Sequence, residues 1–299
     1  MNVPGWHGRT DEPGERWHQI VQPWTAAAQG GIAFTGFGCD EGVRRNQGRI
    51  GAAEGPSALR AMMSNLATTR PDLYDCGDIT VKSQEFEVAQ LIYADKIARS
   101  IDAGSLAIGL GGGHEIAYGS YMGLIKSERT SKDDRIGILN LDAHFDLRAG
   151  EPSSGTPFAQ ALELGGGNTQ YLAVGISEAA NGQSLFERAD ALGAQYVLDH
   201  ELTQVPTERI QQSFDQVDHL YVSLDLDVLP ASIAPGVSAP AARGVPLEVV
   251  SQILQLAAAS WKLRLFDVAE LNPRFDLDNR TARTAARLIW EVVKAWKSS

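Results

Sequence analysis

The sequence predicts an α/β fold with three layers, in which a mostly parallel sheet lies between two layers of helices. The first observation is that short apolar runs alternate with longer helical stretches, and such strand–helix–strand repetition is typical of parallel sheets. The second is that the apolar runs are continuous, which indicates strands covered on both faces. The third is that no Gly/Ser-rich or Pro-rich linker divides the sequence, which favours a single domain.

Seven apolar runs have the length and composition of buried strands. They cover 31–38, 105–112, 135–142, 170–176, 194–199, 219–227 and 263–271. Helices are predicted over 85–104, 246–261 and 281–296. We therefore expect one α/β/α domain over residues 31–299.

Residues 1–30 are polar apart from three tryptophans, Trp6, Trp17 and Trp24. Polar sequence with a few large rings is typical of a segment that wraps a domain and docks by those rings. We expect an N-terminal capping segment here.

The composition restricts the partners and the compartment. Asp and Glu number 37 against 26 Lys and Arg, and a net charge of -11 disfavours nucleic acid, whose binders need a basic face. No run approaches the roughly 18 apolar residues of a membrane span, so no membrane partner is expected. The N-terminus has no basic region followed by an apolar one, and only Cys39 and Cys76 are present. These features predict a cytoplasmic location.

Ionisable residues follow four of the predicted strands, where ligands gather in open α/β sheets. The run SLAIGL leads into GGGHE and His114, and IGILNL leads into DAHFD. HLYVSL leads into Asp225 and Asp227, and LRLFDVA leads into Glu270. Side chains two residues apart on an extended segment point to the same side, so we expect Asp225 and Asp227 to face one way.

Carboxylates placed side by side in an apolar strand need positive charge nearby, and SLDLDVL contains no Lys or Arg. A divalent cation is the natural compensation. The candidate ligands are His114, Asp142, His144, Asp146, Asp225 and Asp227. This set is larger than one tetrahedral zinc site uses, and it suits a pair of Mn²⁺ or similar ions about 3.5–4 Å apart.

Each of these motifs alone is more often an ordinary polar loop, and their joint placement on separate strand ends is what favours a metal centre. The glycine-rich GLGGGHE raises a dinucleotide-binding alternative. The G-x-G-x-x-G fingerprint would need a glycine where His114 stands, so this alternative is disfavoured.

Four motifs, in order GGGHE, NLDAHFDLR, SLDLDVLPASIAPGVSAPAARG and AELNPRFD, resemble the ureohydrolase superfamily of arginases, agmatinases and formimidoylglutamases. The resemblance covers about residue 32 to the C-terminus. It implies an α/β/α fold with an eight-stranded parallel sheet. It also implies a binuclear manganese site that hydrolyses carbon–nitrogen bonds of amidines or guanidines.

The resemblance also implies roles for individual residues. One metal would take His114, Asp142, Asp146 and Asp225, and the other would take Asp142, His144, Asp225 and Asp227. A hydroxide shared by the two ions would be the nucleophile, and Asp146 would help move its proton to the leaving nitrogen. Glu270 would pair with the cationic amidinium and orient its carbon.

Within the superfamily, the details resemble formimidoylglutamases. GGGHE replaces the usual GGDHS of arginases and agmatinases, and AELNPRFDLDNRTAR is similar to formimidoylglutamases over its whole length. Ser154, expected at the substrate, stands where agmatinases carry a proton-transfer histidine. The implied reaction converts N-formimidoyl-L-glutamate to L-glutamate and formamide, a step of histidine breakdown.

That substrate carries two carboxylates, which an acidic protein must bind with arginines. Arg148 follows Asp146 by two residues, and we predict that it binds a substrate carboxylate. The alternative is a surface arginine paired with Glu151. Weaker candidates for the same role are Arg44, Arg45, Arg49 and Arg274.

Two other functions stay open at this point. One is an agmatinase or another guanidino- or amidino-acid hydrolase, and the other is a non-catalytic metal-binding scaffold protein. A homo-oligomer is possible, because relatives in the superfamily form several kinds.

Overall fold

A computed structural model describes residues 3–9, 12–81 and 85–297, and this part of the chain forms one nine-stranded sheet with all strands parallel. The strands are β1 (Gln22–Pro23), β2 (Ile32–Gly38), β3 (Leu73–Thr80), β4 (Leu106–Gly111), β5 (Ile136–Leu141), β6 (Thr169–Ile176), β7 (Gln195–Leu198), β8 (His219–Asp225) and β9 (Leu263–Ala269). Their order across the sheet is β1-β3-β2-β4-β9-β8-β5-β6-β7.

Ten α-helices accompany the strands in the described residues. They are α1 (Trp17–Ile20), α2 (Glu41–Arg45), α3 (Gly55–Met63), α4 (Phe86–Asp102), α5 (Ile116–Lys126), α6 (Pro157–Gly165), α7 (Gln183–Ala191), α8 (Thr207–Asp215), α9 (Leu247–Ala259) and α10 (Arg280–Ala295). None of these helices is both long enough and apolar enough to cross a membrane.

The sheet is covered on both faces, because alternate residues of its strands belong to two separate apolar clusters. Leu220, Val222 and Leu224 of β8 join a cluster that includes α3, α8, α9 and α10, whereas Tyr221 joins a second cluster formed with α4 to α7. Both faces of a parallel strand are buried in such an arrangement, which explains the continuous apolar runs. The three-layer α/β prediction is confirmed.

Seven of the nine strands coincide with the predicted apolar runs, and α4, α9 and α10 coincide with the predicted helices. Two strands were not predicted. β3 has the sequence LYDCGDIT, with two aspartates and exposed residues in its middle, so it lacks a continuous apolar run. β1 has only two residues, which is too short for any periodic pattern, and it brings the sheet to nine strands instead of about eight.

The N-terminal tryptophans differ in burial. Trp6 and Trp17 are buried, and the ring centroid of each lies within 5.7 Å of that of Phe34 in β2. Trp24 is only partly buried. The division into a capping segment 1–30 and a domain 31–299 stays a prediction.

A buried ion pair joins α3 to β3. The guanidinium of Arg60 donates to the carboxylate of Asp75 at 2.6 Å and to that of Asp78 at 2.6 Å. Trp6 Nε1 donates to Asp75 as well, at 2.5 Å. Arg60 and Asp75 are nearly inaccessible to solvent, so neither charge has water as a substitute partner.

We predict that Arg60→Ala lowers the free energy of unfolding by about 3–5 kcal/mol, because it leaves the Asp75 charge buried without its counter-ion. Urea unfolding followed by circular dichroism measures this change. The matched control is Arg135→Ala, which breaks an exposed pair with Asp218 at 3.6 Å and should cost less than about 1 kcal/mol. Equal effects of the two substitutions would contradict the prediction.

Candidate metal centre

The four central strands bring the predicted site residues to one edge of the sheet. β4, β9, β8 and β5 are consecutive neighbours, and parallel strands end at the same edge. His114 follows β4 and Glu270 follows β9 directly. Asp225 closes β8, and the loop that begins with Asp142 follows β5. Residues distant in sequence therefore converge at adjacent strand ends.

Four of these residues form a first ligand group around His114. Its Nδ1 lies 3.2 Å from Asp142 Oδ2, 2.9 Å from Asp146 Oδ2 and 3.1 Å from Asp225 Oδ2. None of the three contacts has the geometry of a hydrogen bond, and Nδ1 has no hydrogen-bond partner among the described residues. The four ligand atoms lie within 4.8 Å of one another, so this group could hold one metal ion.

A second ligand group consists of Asp142, His144 and Asp227. His144 Nδ1 lies 3.0 Å from Asp227 Oδ2 and 3.6 Å from Asp142 Oδ1. Asp142 belongs to both groups, one oxygen facing each, so the two groups are adjacent. Asp225 belongs to the first group only in this arrangement, and its role as a second bridge stays a prediction.

The backbone at Asp227 differs from the expected extended segment. β8 ends at Asp225, and Leu226–Val228 forms a 3-10 turn. The Asp225 carboxylate accepts the N–H of Asp227 at 2.8 Å, which caps this turn. The expectation that Asp225 and Asp227 face one way on a single extended segment was wrong about the backbone, although the turn still places both carboxylates in the centre.

Two site residues adopt the left-handed backbone region that favours glycine. The φ angle is 49° at Asp146 and 68° at Glu270. Each such conformation costs about 1–3 kcal/mol and persists where surrounding structure enforces it, often at functional sites. Both carboxylates contact His114: Asp146 Oδ2 lies 2.9 Å from its Nδ1, and Glu270 Oε1 accepts its N–H at 2.9 Å.

The crowding of buried carboxylates raises the pKa of three of them. Burial, together with the charges of Asp227 and Asp142, raises the pKa of Asp225 well above its usual range. Burial and the charge of Asp142 raise the pKa of Asp146 to about 6. Burial also raises the pKa of Asp227. Each shift reflects the cost of placing a further negative charge in this buried cluster, a cost that a cation would lower.

The two imidazoles respond in the opposite way. The charge of Asp227 raises the pKa of His144 to about 12. Burial alone would lower the pKa of His114, but its three carboxylate neighbours outweigh burial and raise it well above 6.5. Both shifts show that the surrounding carboxylates favour positive charge at this point of the structure.

Two asparagines that the sequence motifs did not reveal hold the DAHFD loop in place. Asn140 Nδ2 donates to Asp142 Oδ2 at 2.9 Å. Asn181 Nδ2 donates to the carbonyl of Ala143 at 2.9 Å, and its Oδ1 accepts the N–H of Phe145 at 3.2 Å. The one available signal was Asn140, a polar residue inside the apolar run IGILNL.

A cleft of about 310 Å³ opens onto the centre, and Asn46, Arg148, Ser154 and Glu270 are among its lining residues. Glu270 Oε1 accepts the N–H of His114 at 2.9 Å, whereas Oε2 is buried and has no partner among the described residues. Burial, together with the charge of Glu115, raises the pKa of Glu270 to about 8. A buried carboxylate oxygen without a donor suits a cationic ligand in the cleft.

Arg148 is exposed at this cleft and forms no ion pair within the described part of the chain. Glu151, the proposed surface partner, instead contacts Arg45 at 3.5 Å. Arg44 and Arg45 both bind Glu41, at 2.6 and 3.0 Å. These two arginines are therefore already neutralised.

The remaining arginine candidates also have partners. Arg274 contacts Glu54 at 2.8 Å. Arg49 lines the cleft, but its Nε donates to the carbonyl of Ser238 at 2.9 Å and its Nη2 donates to that of Val237. Of the arginines singled out from the sequence, Arg148 is the one whose guanidinium has no hydrogen-bond or ion-pair partner among the described residues.

The fold and the centre define a metallohydrolase of the arginase type, and the comparisons agree. The model of the arginase family matches residues 30–294. The chain belongs to the arginase family, so the resemblance seen in the four motifs is confirmed.

Relatives with known names are similar over nearly the whole chain. The formimidoylglutamase of Nocardia farcinica is 48% identical and covers 97% of this chain and 96% of its own. The formimidoylglutamase of Ralstonia nicotianae is 49% identical, and the match covers 96% of this chain and 94% of the relative.

Solved structures agree with the fold. The crystal structure of Trypanosoma cruzi formiminoglutamase with Mn²⁺ has a TM-score of 0.80 at 26% identity and covers 88% of this chain and 92% of its own. The formimidoylglutamase of Bacillus subtilis has a TM-score of 0.85 at 20% identity, and the match covers 98% of this chain and 95% of that one. At this identity the similarity supports the fold alone.

We predict that Mn²⁺ affinity rises with pH, because the metal must displace protons from the two imidazoles and from the raised carboxyls. Each proton released makes binding about tenfold tighter per pH unit. Calorimetric titration with Mn²⁺ at about pH 6 and about pH 8, in buffers of different ionisation enthalpy, measures both affinity and protons released. An affinity that does not change with pH, with no proton release, would contradict the assignment.

Proposed function

We propose that this chain is a manganese-dependent formimidoylglutamase, which hydrolyses N-formimidoyl-L-glutamate to L-glutamate and formamide. The observation that carries the proposal is the free cation of Arg148 in the same cleft as two adjacent ligand groups and the unpartnered Glu270 oxygen. A small substrate with an amidinium at one end and a carboxylate at the other fits this cleft, because the amidinium matches Glu270 and the carboxylate matches Arg148. Relatives that are 48–49% identical over nearly the whole chain carry this name.

The donor set supports two manganese ions. Four carboxylates and two imidazoles balance the charge of two divalent ions, and oxygen-rich sets with histidine suit Mn²⁺. We assign His114, Asp142, Asp146 and Asp225 to one ion, and Asp142, His144, Asp225 and Asp227 to the other. The bound pair supplies a water of lowered pKa as the nucleophile.

Asp146 and Glu270 have different roles toward the reacting carbon. Asp146 accepts the proton of the attacking water and delivers it to the leaving nitrogen, for which a carboxylate within the first ligand group is well placed. Glu270 lines the cleft and its Oε2 has no donor among the described residues, so it accepts hydrogen bonds from the amidinium and orients its carbon. Both residues are held by the left-handed backbone described above.

Arg148 and Ser154 bind the other end of the substrate. The guanidinium of Arg148 forms a charge-assisted pair with one carboxylate, and it would repel the ammonium group of agmatine. Asn46 Nδ2 donates to Ser154 Oγ at 3.1 Å, which leaves the hydroxyl proton of Ser154 available to an acceptor in the cleft. The partner is thus a small molecule. A homo-oligomer and a cytoplasmic location stay predictions.

A substrate panel on the manganese-loaded enzyme tests the proposal. We expect rapid release of formamide from N-formimidoyl-L-glutamate, slow or absent turnover of agmatine and arginine, and loss of activity with a chelator. Formamide and urea are quantified separately. Rapid agmatine turnover with inert formimidoylglutamate would favour the agmatinase-type alternative, and no manganese-stimulated turnover of any substrate would favour the scaffold protein.

We predict that Arg148→Ala raises KM for N-formimidoyl-L-glutamate by about 10- to 100-fold, the loss expected for one charged hydrogen bond, and changes kcat much less. Steady-state kinetics measure both constants. Arg274→Ala is the matched control, because it removes the same charge from an exposed pair outside the cleft lining. If both variants behave like the unmodified enzyme, Arg148 does not bind the substrate.

A further inference from the structure

A fully buried carboxylate lies behind the metal centre and takes no part in the chemistry described so far. Asp267, in β9, is inaccessible to solvent. Its Oδ1 accepts a hydrogen bond from Ser223 Oγ at 2.6 Å. Its Oδ2 accepts from Ser120 Oγ at 2.5 Å and from the hydroxyl of Tyr221 at 2.7 Å. Three hydroxyl donors hold this carboxylate in one orientation.

The same serine contacts the metal ligand His114. Ser223 Oγ lies 2.9 Å from His114 Nε2. A serine hydroxyl has one proton, and here that proton is donated to Asp267. Ser223 Oγ must therefore accept from His114, so the proton of a neutral imidazole stands on Nε2. The lone pair of Nδ1 then faces the three carboxylates of the first ligand group.

The pairing of neighbouring strands fixes the positions of Ser223 and Asp267. Ser223 and Asp267 are directly paired in the register of β8 and β9, so their side chains lie next to each other on one face. On the other side of β9, Gly109 of β4 is paired with Asp267. A Cβ at Gly109 would come within 2.8 Å of the Asp267 Cβ, so a side chain there would displace the carboxylate.

We infer that Ser223 and Asp267 are positioning residues that hold His114 as the Nε2–H tautomer and so raise the affinity of the first ligand group for its metal. The inference rests on the metal centre proposed above. Partners of this kind fix the orientation and raise the basicity of ligand histidines, and their loss weakens metal affinity about 10- to 100-fold. The hydrogen-bond chain from Asp267 through Ser223 ends on His114, a proposed metal ligand, and a role in stability alone would not require that.

Mn²⁺ titration of four variants tests this inference without relying on activity. Free Mn²⁺ is measured by electron paramagnetic resonance, and thermal unfolding of the metal-free protein identifies variants that do not fold. We expect Ser223→Ala and Asp267→Asn each to weaken one of the two Mn²⁺ sites by about 10- to 100-fold. The double variant should bind Mn²⁺ as tightly as Ser223→Ala does, because the two substitutions act through the same hydrogen-bond chain. Ser223→Thr, which keeps the hydroxyl, should bind within a few-fold of the unmodified enzyme.

The matched control is Ser105→Ala. Ser105 is also buried and also donates one 2.6 Å hydrogen bond, to the carbonyl of Gly30, but it precedes β4 at the opposite edge of the sheet. Its substitution should leave Mn²⁺ affinity unchanged. If folded Ser223→Ala or Asp267→Asn binds two Mn²⁺ as tightly as this control, the inference is overturned and the proposed function stands. If the unmodified enzyme itself binds no Mn²⁺, the proposed function and the inference both fail.

Discussion

The structure depends on one electrostatic constraint. Four buried or nearly buried aspartates meet at one edge of the sheet, and the two imidazoles beside them are the neighbouring groups that can offset their negative charge. Such a cluster is unstable as a set of free charges, and the raised pKa values of Asp225 and His144 report how it adjusts without metal. Divalent cations remove the conflict directly. The neighbouring order of β4, β9, β8 and β5 is what brings these side chains together.

The surrounding elements hold these carboxylates together despite their mutual repulsion. Asn140 and Asn181 bind the loop after β5, and the left-handed backbone at Asp146 and Glu270 turns their carboxylates inward. The apolar layers on both faces of the sheet keep the strand ends in register, so the cost of the strained positions is offset by the core. Two arginines line the cleft: Arg49 donates to main-chain carbonyls, and Arg148 has no ion-pair partner among the described residues and keeps its charge available for a ligand.

Much of the fold and of the candidate ligand groups could be predicted, because apolar strands that end in ionisable residues leave a local signal in the sequence. His114, Asp142 and Asp225 were singled out in this way, and the structure brings them together. The turn at Asp227 was missed because the expected pattern was that of an extended segment. β3 was missed because Asp75 and Asp78 interrupt its apolar run, and their partner Arg60 lies in another element. The link from Asp267 to His114 depends on the pairing of β8 with β9, which no local pattern encodes.

The most direct test of the central claim is a crystal structure of the manganese-loaded protein with anomalous scattering at the manganese edge. We expect two peaks about 3.5–4 Å apart, one beside His114 and one beside His144, with Asp142 between them. A single peak, or two peaks in separate pockets away from Asp142, would contradict the account.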